Sequence, residues 1–560
     1  MKKQKFSKIY IQDWIVLKPY DKQVLSDSYY LKLANKVKEL FIKEFADEDN
    51  TIDDFFDSDD ELTLLSCFLT SYFEDIISET NIWNTFVRKH KELYQKELPF
   101  FETDENYIHE CINLQDISFL LWYFMNTLRD NEVIHHFNLF FQLTPIRIMK
   151  IFDTEYETAP ENEHLKNYYQ LNPNETELYP VRDVIRNILF NTYLFYPDTF
   201  LTFDTEARHI VEEAKSEKES KKNTLMFLRE TELAVFNSKH TKLLNMKGKD
   251  WLAALLGEQH PLYHDILNCS ERIFGLFFYK GENEKDVFIE HIASAMPFKL
   301  TKKSLDFPFP AHHIDDIVYI GIQQWQNEWW FSGNIVPIPF DADLVLDEKN
   351  SLASRQAVNF ITHAQNEAKI KSILADQEKA FLELNNNSPI VFLPKEDIEK
   401  YNSNFMEYYN QSLNLSKEER EDVLQRTRKE GYIGNNEPYS ESYKATLASD
   451  EIESALLFFN PNSGLEIAFG INSAFPTIAN SFYNEEDCID HTFALLFDEA
   501  FSTELALYCV DNFKEESIFF DEFGDNYMDD LDFALRFFKG DEYRTKPQIT
   551  LTGINHLKVV

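Results

Sequence analysis

The side chains best suited to metal chemistry fall in two short groups. His312, His313, Asp315 and Asp316 lie just before an expected strand, and Asp487, Cys488, Asp490 and His491 lie near an expected helix start. Both groups hold donors that suit zinc or manganese, although neighbouring His and Asp in a turn also commonly face water or cap a helix. Glu132/His135, Glu161/His164 and Glu206/His209 share the spacing that sets two ligands on one helical face, which a ferritin-like di-iron bundle uses twice. With 15 His and 96 Asp+Glu such spacings also arise by chance, and the second pair sits in a proline-flanked stretch.

A metal-dependent nuclease pairs an upstream Asp with Glu-x-Lys, whose carboxylates hold Mg²⁺ while the Lys supports the attacking water. Glu213/Lys215 follows Pro197 and Asp198, and Glu367/Lys369 follows Asp341 and Asp343. Both matches fall in expected helix, where charged pairs are ordinary. Only 13 glycines are present, and neither GxGxxG nor GxxxxGK[ST] occurs; GxSxG and HExxH are missing too. No cofactor is expected.

Trp325, Trp329 and Trp330 surround one expected hairpin. They are the candidate partner-binding residues, because indole rings pack peptides or bases at low entropy cost. Successive side chains of a strand face opposite sides, so Trp329 and Trp330 cannot both enter one core. The outer ring must meet a covering domain or a partner.

The elements that position these residues follow from length and pattern. At 560 residues, with 44% hydrophobic and 15% aromatic residues, the chain has core material for several domains. Apolar residues recur at helical spacing from Asp27 to about Phe195: Leu31, Ala34, Val37 and Phe41 form one stripe, and Leu62, Leu65, Leu69, Phe73 and Ile76 a second. Further helices are expected over Ile82–Leu98, Asp116–Leu128 and Val181–Tyr196. Asp60 is the expected cap of the second helix, and Pro99, Pro145, Pro160 and Pro180 are expected between helices. An acidic loop is expected over Asp47–Glu61, and a charge-dense linker or exposed helix over Thr205–Lys222.

Alternation begins at Arg272. Phe274, Leu276 and Phe278 read as one strand, with a turn at Lys280–Lys285 and a return through Val287, Ile289 and His291. Val318–Trp325 and Trp329–Val336 read as a second hairpin, and a small SH3-like barrel is expected. Beyond it come a helix from Ser354 to about Leu384 stopped by Asn385–Asn387, and a Ser416/Glu419 capping box for a helix to Lys429. A loop at Gly434–Ser440 is followed by a hairpin of Ala455–Phe459 with Leu465–Phe469, then helices near Asp490–Asn512 and Asp529–Phe538. The fold class is multidomain α+β. Residues 1–200 are expected as a helical domain, 201–270 as a charged helical connector, 271–345 as the small β-domain and 346–560 as a C-terminal α+β domain.

The strings Ile9-Tyr10-Ile11-Gln12-Asp13-Trp14, Lys18-Pro19-Tyr20, and Cys67 with Tyr72-Phe73-Glu74-Asp75-Ile76-Ile77 resemble a family of uncharacterised bacterial proteins. Leu98-Pro99-Phe100 and Asn113–Trp122 are similar to it as well, so the likeness covers roughly the first 150 residues. It implies a bacterial cytoplasmic setting and no activity.

The balance of 55 Lys+Arg against 96 Asp+Glu gives a formal charge of −41, which repels phosphate backbones and anionic lipid and steers in a basic partner. Five scattered cysteines without a CxxC pair fit buried thiols in a reducing compartment. Met1–Trp14 lacks the apolar run of a signal peptide, and the densest apolar run, Phe119–Met125, is too short to span a bilayer. A cytoplasmic, non-enzymatic interaction protein with a protein partner is therefore expected, without nucleic acid or membrane. The alternative is a metal-dependent hydrolase or nuclease using carboxylates and histidines of the C-terminal half.

Overall fold

A computed structural model describes residues 6–44, 56, 58–129, 133–217, 220–351, 354–355, 358, 363–413, 416–419, 421 and 453–540. The chain divides into two compact units, one of residues 1–272 with 323–334 and the other of residues 273–322 with 335–560.

The first unit is built on helices: α1 (Ile11–Ile15), α2 (Asp27–Glu44), α3 (Asp59–Ser78), α4 (Ile82–Tyr94), α5 (Leu114–Leu128), α6 (Phe140–Glu155), α7 (Glu163–Tyr168), α8 (Leu178–Asn191), α9 (Tyr196–Glu217), α10 (Lys221–Ser238), α11 (Gly248–Leu256) and α12 (Tyr263–Leu267). α5 is apolar all round and is accordingly buried from Asp116 to Thr127. Its Phe119 stacks on Phe86 of α4 at 5.2 Å, and its Phe124 meets Phe68 of α3 at 5.3 Å.

Four local expectations are corrected. Ser58, not Asp60, caps α3, accepting from the Glu61 N–H at 3.2 Å, and Asp60 already lies within the first turn. Pro145 sits inside α6 rather than between helices. Its missing N–H costs one backbone bond, but the face it shares with Phe141, Thr144, Ile148 and Phe152 is buried, and that packing carries the helix through. The helix expected over Val181–Tyr196 is two helices, because Thr192 is extended, with its hydroxyl turned back to the Ile188 carbonyl at 2.5 Å. Pro180 occupies the first turn of α8, where an N–H has no intrahelical partner. The charge-dense stretch from Thr205 continues α9 as helix to Glu217, while most of the acidic loop Asp47–Glu61 lies outside the described residues.

Five strands follow: β1 (Ile273–Glu282), β2 (Asp286–His291), β3 (Pro297–Thr301), β4 (Ile317–Trp325) and β5 (Glu328–Ile338), closing in the order β1-β2-β3-β5-β4. Three consecutive strands with the fourth returning beside the first make a Greek key, so the SH3-like description does not hold. The long connection after β3 carries the chain back to β1, where Ile273–Phe278 pairs with Ile322–Ile317. β3 had no alternation long enough to foresee it. β1 bulges between Tyr279 and Gly281 and is buried on both faces, because Phe278 and Leu276 pack outward against Ile317, Ile292 and Val345 of α13 (Ala342–Asn350). Gln326 and Asn327, at φ +46° and +66°, make the tight β4–β5 turn. This hairpin end, Gln323–Asn334, belongs to the first unit.

The rest of the second unit holds a three-stranded sheet, β6 (Ile390–Pro394), β7 (Ser454–Asn460) and β8 (Gly464–Phe469) in the order β6-β7-β8. α14 (His363–Leu384) and α15 (Ile398–Ser412) cover it through Phe381, Phe405 and Tyr409 against Phe459. The Asn385–Asn387 stop stands, with Asn386 and Asn387 at positive φ, as does the Ser416/Glu419 capping box. The helix expected on to Lys429 and the Gly434–Ser440 loop lie outside the described residues. α16 (Cys488–Phe497) and α17 (Thr503–Phe513) replace one expected helix, since Ser502 caps a new start by accepting from Leu505 N–H at 3.1 Å; α18 (Leu531–Phe538) ends the described helices.

Candidate functional site

The tryptophan hairpin is seated on the helical part of the first unit. Trp325 and Trp330 are each 1% exposed, whereas Trp329 is half-buried on the opposite side of β5, as alternation requires. Trp325 Nε1 donates to the Thr176 carbonyl at 3.2 Å, and Gln326 Nε2 donates to Asp265 Oδ2 at 2.7 Å. Trp330 meets the Tyr179 ring edge-on at 5.7 Å, and the Tyr179 hydroxyl donates to the Phe331 carbonyl at 2.9 Å. On the same turn of α8 Arg182 lies over Tyr179, its Cζ 4.7 Å from the ring centroid. Arg272 donates through Nε to the Ser332 carbonyl at 2.8 Å and pairs with Glu230 of α10. The three tryptophans thus divide into two anchors and one outward ring. Sequence reasoning missed Tyr179, Arg182 and Arg272; the i, i+3 spacing of Tyr179 and Arg182 was the available signal.

The strings that carry the family resemblance converge elsewhere, in the core. Lys18 and Glu74, 3% and 0% exposed, form a buried ion pair, with Lys18 Nζ also 3.1 Å from Ser71 Oγ and 4.0 Å over the Trp14 ring. Asp27 accepts from Trp14 Nε1 at 2.9 Å, from the Tyr20 hydroxyl at 3.0 Å and from Val24 N–H at 2.6 Å. Asn162 ties the two groups, its amide nitrogen 2.8 Å from Glu74 and 2.9 Å from the Tyr20 hydroxyl. Burial raises the Glu74 carboxyl, and Lys18 and Asn162 pull it back.

Asp75 holds the start of α4 through the N–H groups of Trp83 at 2.7 Å and Ile82 at 3.3 Å, and accepts from the Tyr193 hydroxyl at 2.8 Å. Asp116 accepts from Tyr72 at 2.7 Å, Asn113 at 3.1 Å and Tyr107 at 2.8 Å, yet burial still pushes its carboxyl up to about 6. These carboxylates are committed to donors of their own chain. The arrangement stabilises one packing of the helices.

The metal-ligand candidates are dispersed. His312 and His313 are exposed, and their backbone N–H groups donate to Asp316 Oδ2 at 2.9 and 2.8 Å, which holds that carboxyl below its ordinary value. Asp315 pairs with Lys280 at 2.8 Å. Asp487 accepts from Asn484 at 2.8 Å, His491 Nδ1 accepts from Ser473 N–H at 3.1 Å, buried Cys488 meets Ser517 at 3.5 Å, and Asp490 is exposed. Glu132 lies outside the described residues, Glu161/His164 straddles the start of α7, and Glu206/His209 and Glu213/Lys215 ride on α9. Asp341 caps α13, accepting from Asp343 and Leu344 N–H, and Glu367 and Lys369 lie on α14. Among the described residues no three His, Cys, Asp or Glu side chains are grouped to hold a metal ion, and no helix is long and apolar enough to cross a membrane.

Among the described residues three histidines are buried neutral. His90 Nδ1 lies 2.8 Å from the Lys96 carbonyl, His136 stacks on Phe100 at 4.5 Å, and His291 Nδ1 lies 2.9 Å from Ser294 Oγ. Burial pulls each down to about 4 from 6.5. A folded value below the unfolded one gives stability that is complete above pH 6.5 and lost as pH falls towards 4, about 2 kcal/mol per residue by pH 5. In urea unfolding, His90→Gln should therefore lose about 2 kcal/mol less than the parent between neutral pH and about pH 5. Equal acid losses in the two proteins would contradict this.

No curated protein and no solved structure matches this chain. Residues 8–274, running past the first 150 residues and across the helices of the first unit, match the model of a family described as "Protein of unknown function (DUF3843)".

Proposed function

We propose that this protein is a non-enzymatic interaction protein that receives a basic protein partner at the β4–β5 hairpin, with Trp329 as the anchor. The observation that carries this reading is the half-buried Trp329 on a hairpin clamped from its other side by Trp325 and Trp330. A rigidly mounted aromatic side chain binds at low entropy cost and is the usual centre of an interface. The charge of −41 supports a basic partner by steering it in. A cytoplasmic setting accords with five cysteines that are all free, Cys67 and Cys269 being raised to about 12 and about 11 by burial and so unreactive.

The test compares the parent with Trp329→Ala for thermal unfolding and for recovery of bound protein from cell extract. Unfolding is expected to stay nearly unchanged while partner affinity falls by about 2 kcal/mol or more. Association should also slow as salt rises, because exposed charges are screened beyond about 10 Å at 0.1 M. Undiminished recovery by Trp329→Ala would retire the reading.

A further inference from the structure

α8 carries Tyr179, Arg182 and Arg186 on successive turns, and two of the arginines around it are neutralised within the chain. Arg186 Nε donates to Glu232 Oε1 at 2.5 Å, and Arg272 pairs with Glu230. Arg182 is different. Its guanidinium is half-buried over the Tyr179 ring, and among the described residues no carboxylate accepts a hydrogen bond from it. Arg229, next to Glu230 on α10, is exposed and likewise has no ionic partner among the described residues.

The frame around them is fixed. Tyr179 is tied to the carbonyl of Phe331 and Arg272 to that of Ser332, so successive residues of β5 fix both the ring beneath Arg182 and the guanidinium of Arg272. Glu230, bonded to Arg272 and to the Asn334 N–H at 2.8 Å, fixes the same stretch of α10 that bears Arg229. Burial pulls Arg182 below its ordinary value, and the charges of Arg229 and Arg272 add to the pull, against Tyr179 and the exposed Asp183.

With 96 acidic residues against 55 basic ones, an internal carboxylate for Arg182 would be easy to supply. Keeping a desolvated, mutually repelled guanidinium unpaired costs stability, and an external anion is what would offset it. Planar guanidinium groups bind tetrahedral oxyanions through paired N–H donors. We propose that Arg182 and Arg229, backed by Arg272, form a binding site for a phosphate dianion, free or as a small phosphomonoester. The site is independent of the Trp329 reading, since neither ligand nor residues are shared.

The test is titration calorimetry of the full chain with inorganic phosphate and with phosphoserine. A single saturable site is expected, weakened about tenfold or more by Arg182→Gln and by Arg229→Gln. Arg208→Gln, whose guanidinium is bonded to Asp204 at 2.5 Å on the surface, should bind as the parent does. Without ligand, Arg182→Gln should unfold at the same urea concentration as the parent or a higher one, because it removes an unpaired desolvated charge. An arginine that only props the helices would give earlier unfolding. Tighter binding of phosphoserine assigns the site to phosphomonoesters and equal binding to free phosphate, and either ranking supports it. No saturable phosphate binding, binding untouched by Arg182→Gln, or displacement of phosphate by equimolar acetate overturns the proposal.

Discussion

Glu74→Ala is expected to destabilise the protein by about 3–5 kcal/mol, the cost of leaving a buried charge without its partner. Among the described residues Lys18 would keep only Ser71 and the Trp14 ring, at a position 3% exposed, and Asn162 would lose its carboxylate acceptor. The loss belongs to the broken pair, not to the pair's intrinsic worth, because both ions gave up hydration to enter the core. The double variant Lys18→Met with Glu74→Leu removes both charges while filling similar volume, and should recover most of the loss. Urea unfolding of the parent, the single and the double variants decides. A single variant within about 1 kcal/mol of the parent, or a double as unstable as the single, would show that the Lys18–Glu74 contact does not hold these helices.

The second large effect is Trp330→Ala, expected to cost about 3–5 kcal/mol through the cavity left between β5 and α8. Trp330 is 1% exposed and packs edge-on against Tyr179, so its removal frees the ring under Arg182 as well as one side of the hairpin seat. Among the described residues its Nε1 has no hydrogen-bond partner. Trp330→Phe keeps an aromatic ring and removes that buried donor, so it should cost clearly less than the alanine change. If the two replacements unfold alike, or both match the parent, Trp330 is not the anchor described. The contrast with Trp329→Ala, which should spare the fold, separates the two faces of one strand.

The sequence determined what depends on near neighbours in the chain. Helical spacing placed α3, α5 and the second stripe of the core, and alternation placed β4, β5, β7 and β8. The Ser416/Glu419 pair gave its capping box, because each of these signals is complete within about eighteen residues. The opposite faces of Trp329 and Trp330 followed from strand geometry alone. What depended on distant residues was decided by packing. Pro145 stays in a helix because a buried face outweighs one lost backbone bond, and β3 and β6 form because partners in β2 and β7 supply the hydrogen bonds their short sequences cannot advertise. The Greek-key order hangs on which strand β4 returns to. The strings that resemble a family of unknown function carry no chemistry of their own in the sequence, and only the fold brings Lys18 to Glu74 across 56 residues and Tyr20 to Asn162 across 142. Likewise no local pattern shows that Arg186 and Arg272 find carboxylates while Arg182 finds a ring, because that choice is made where α8, α10 and β5 meet.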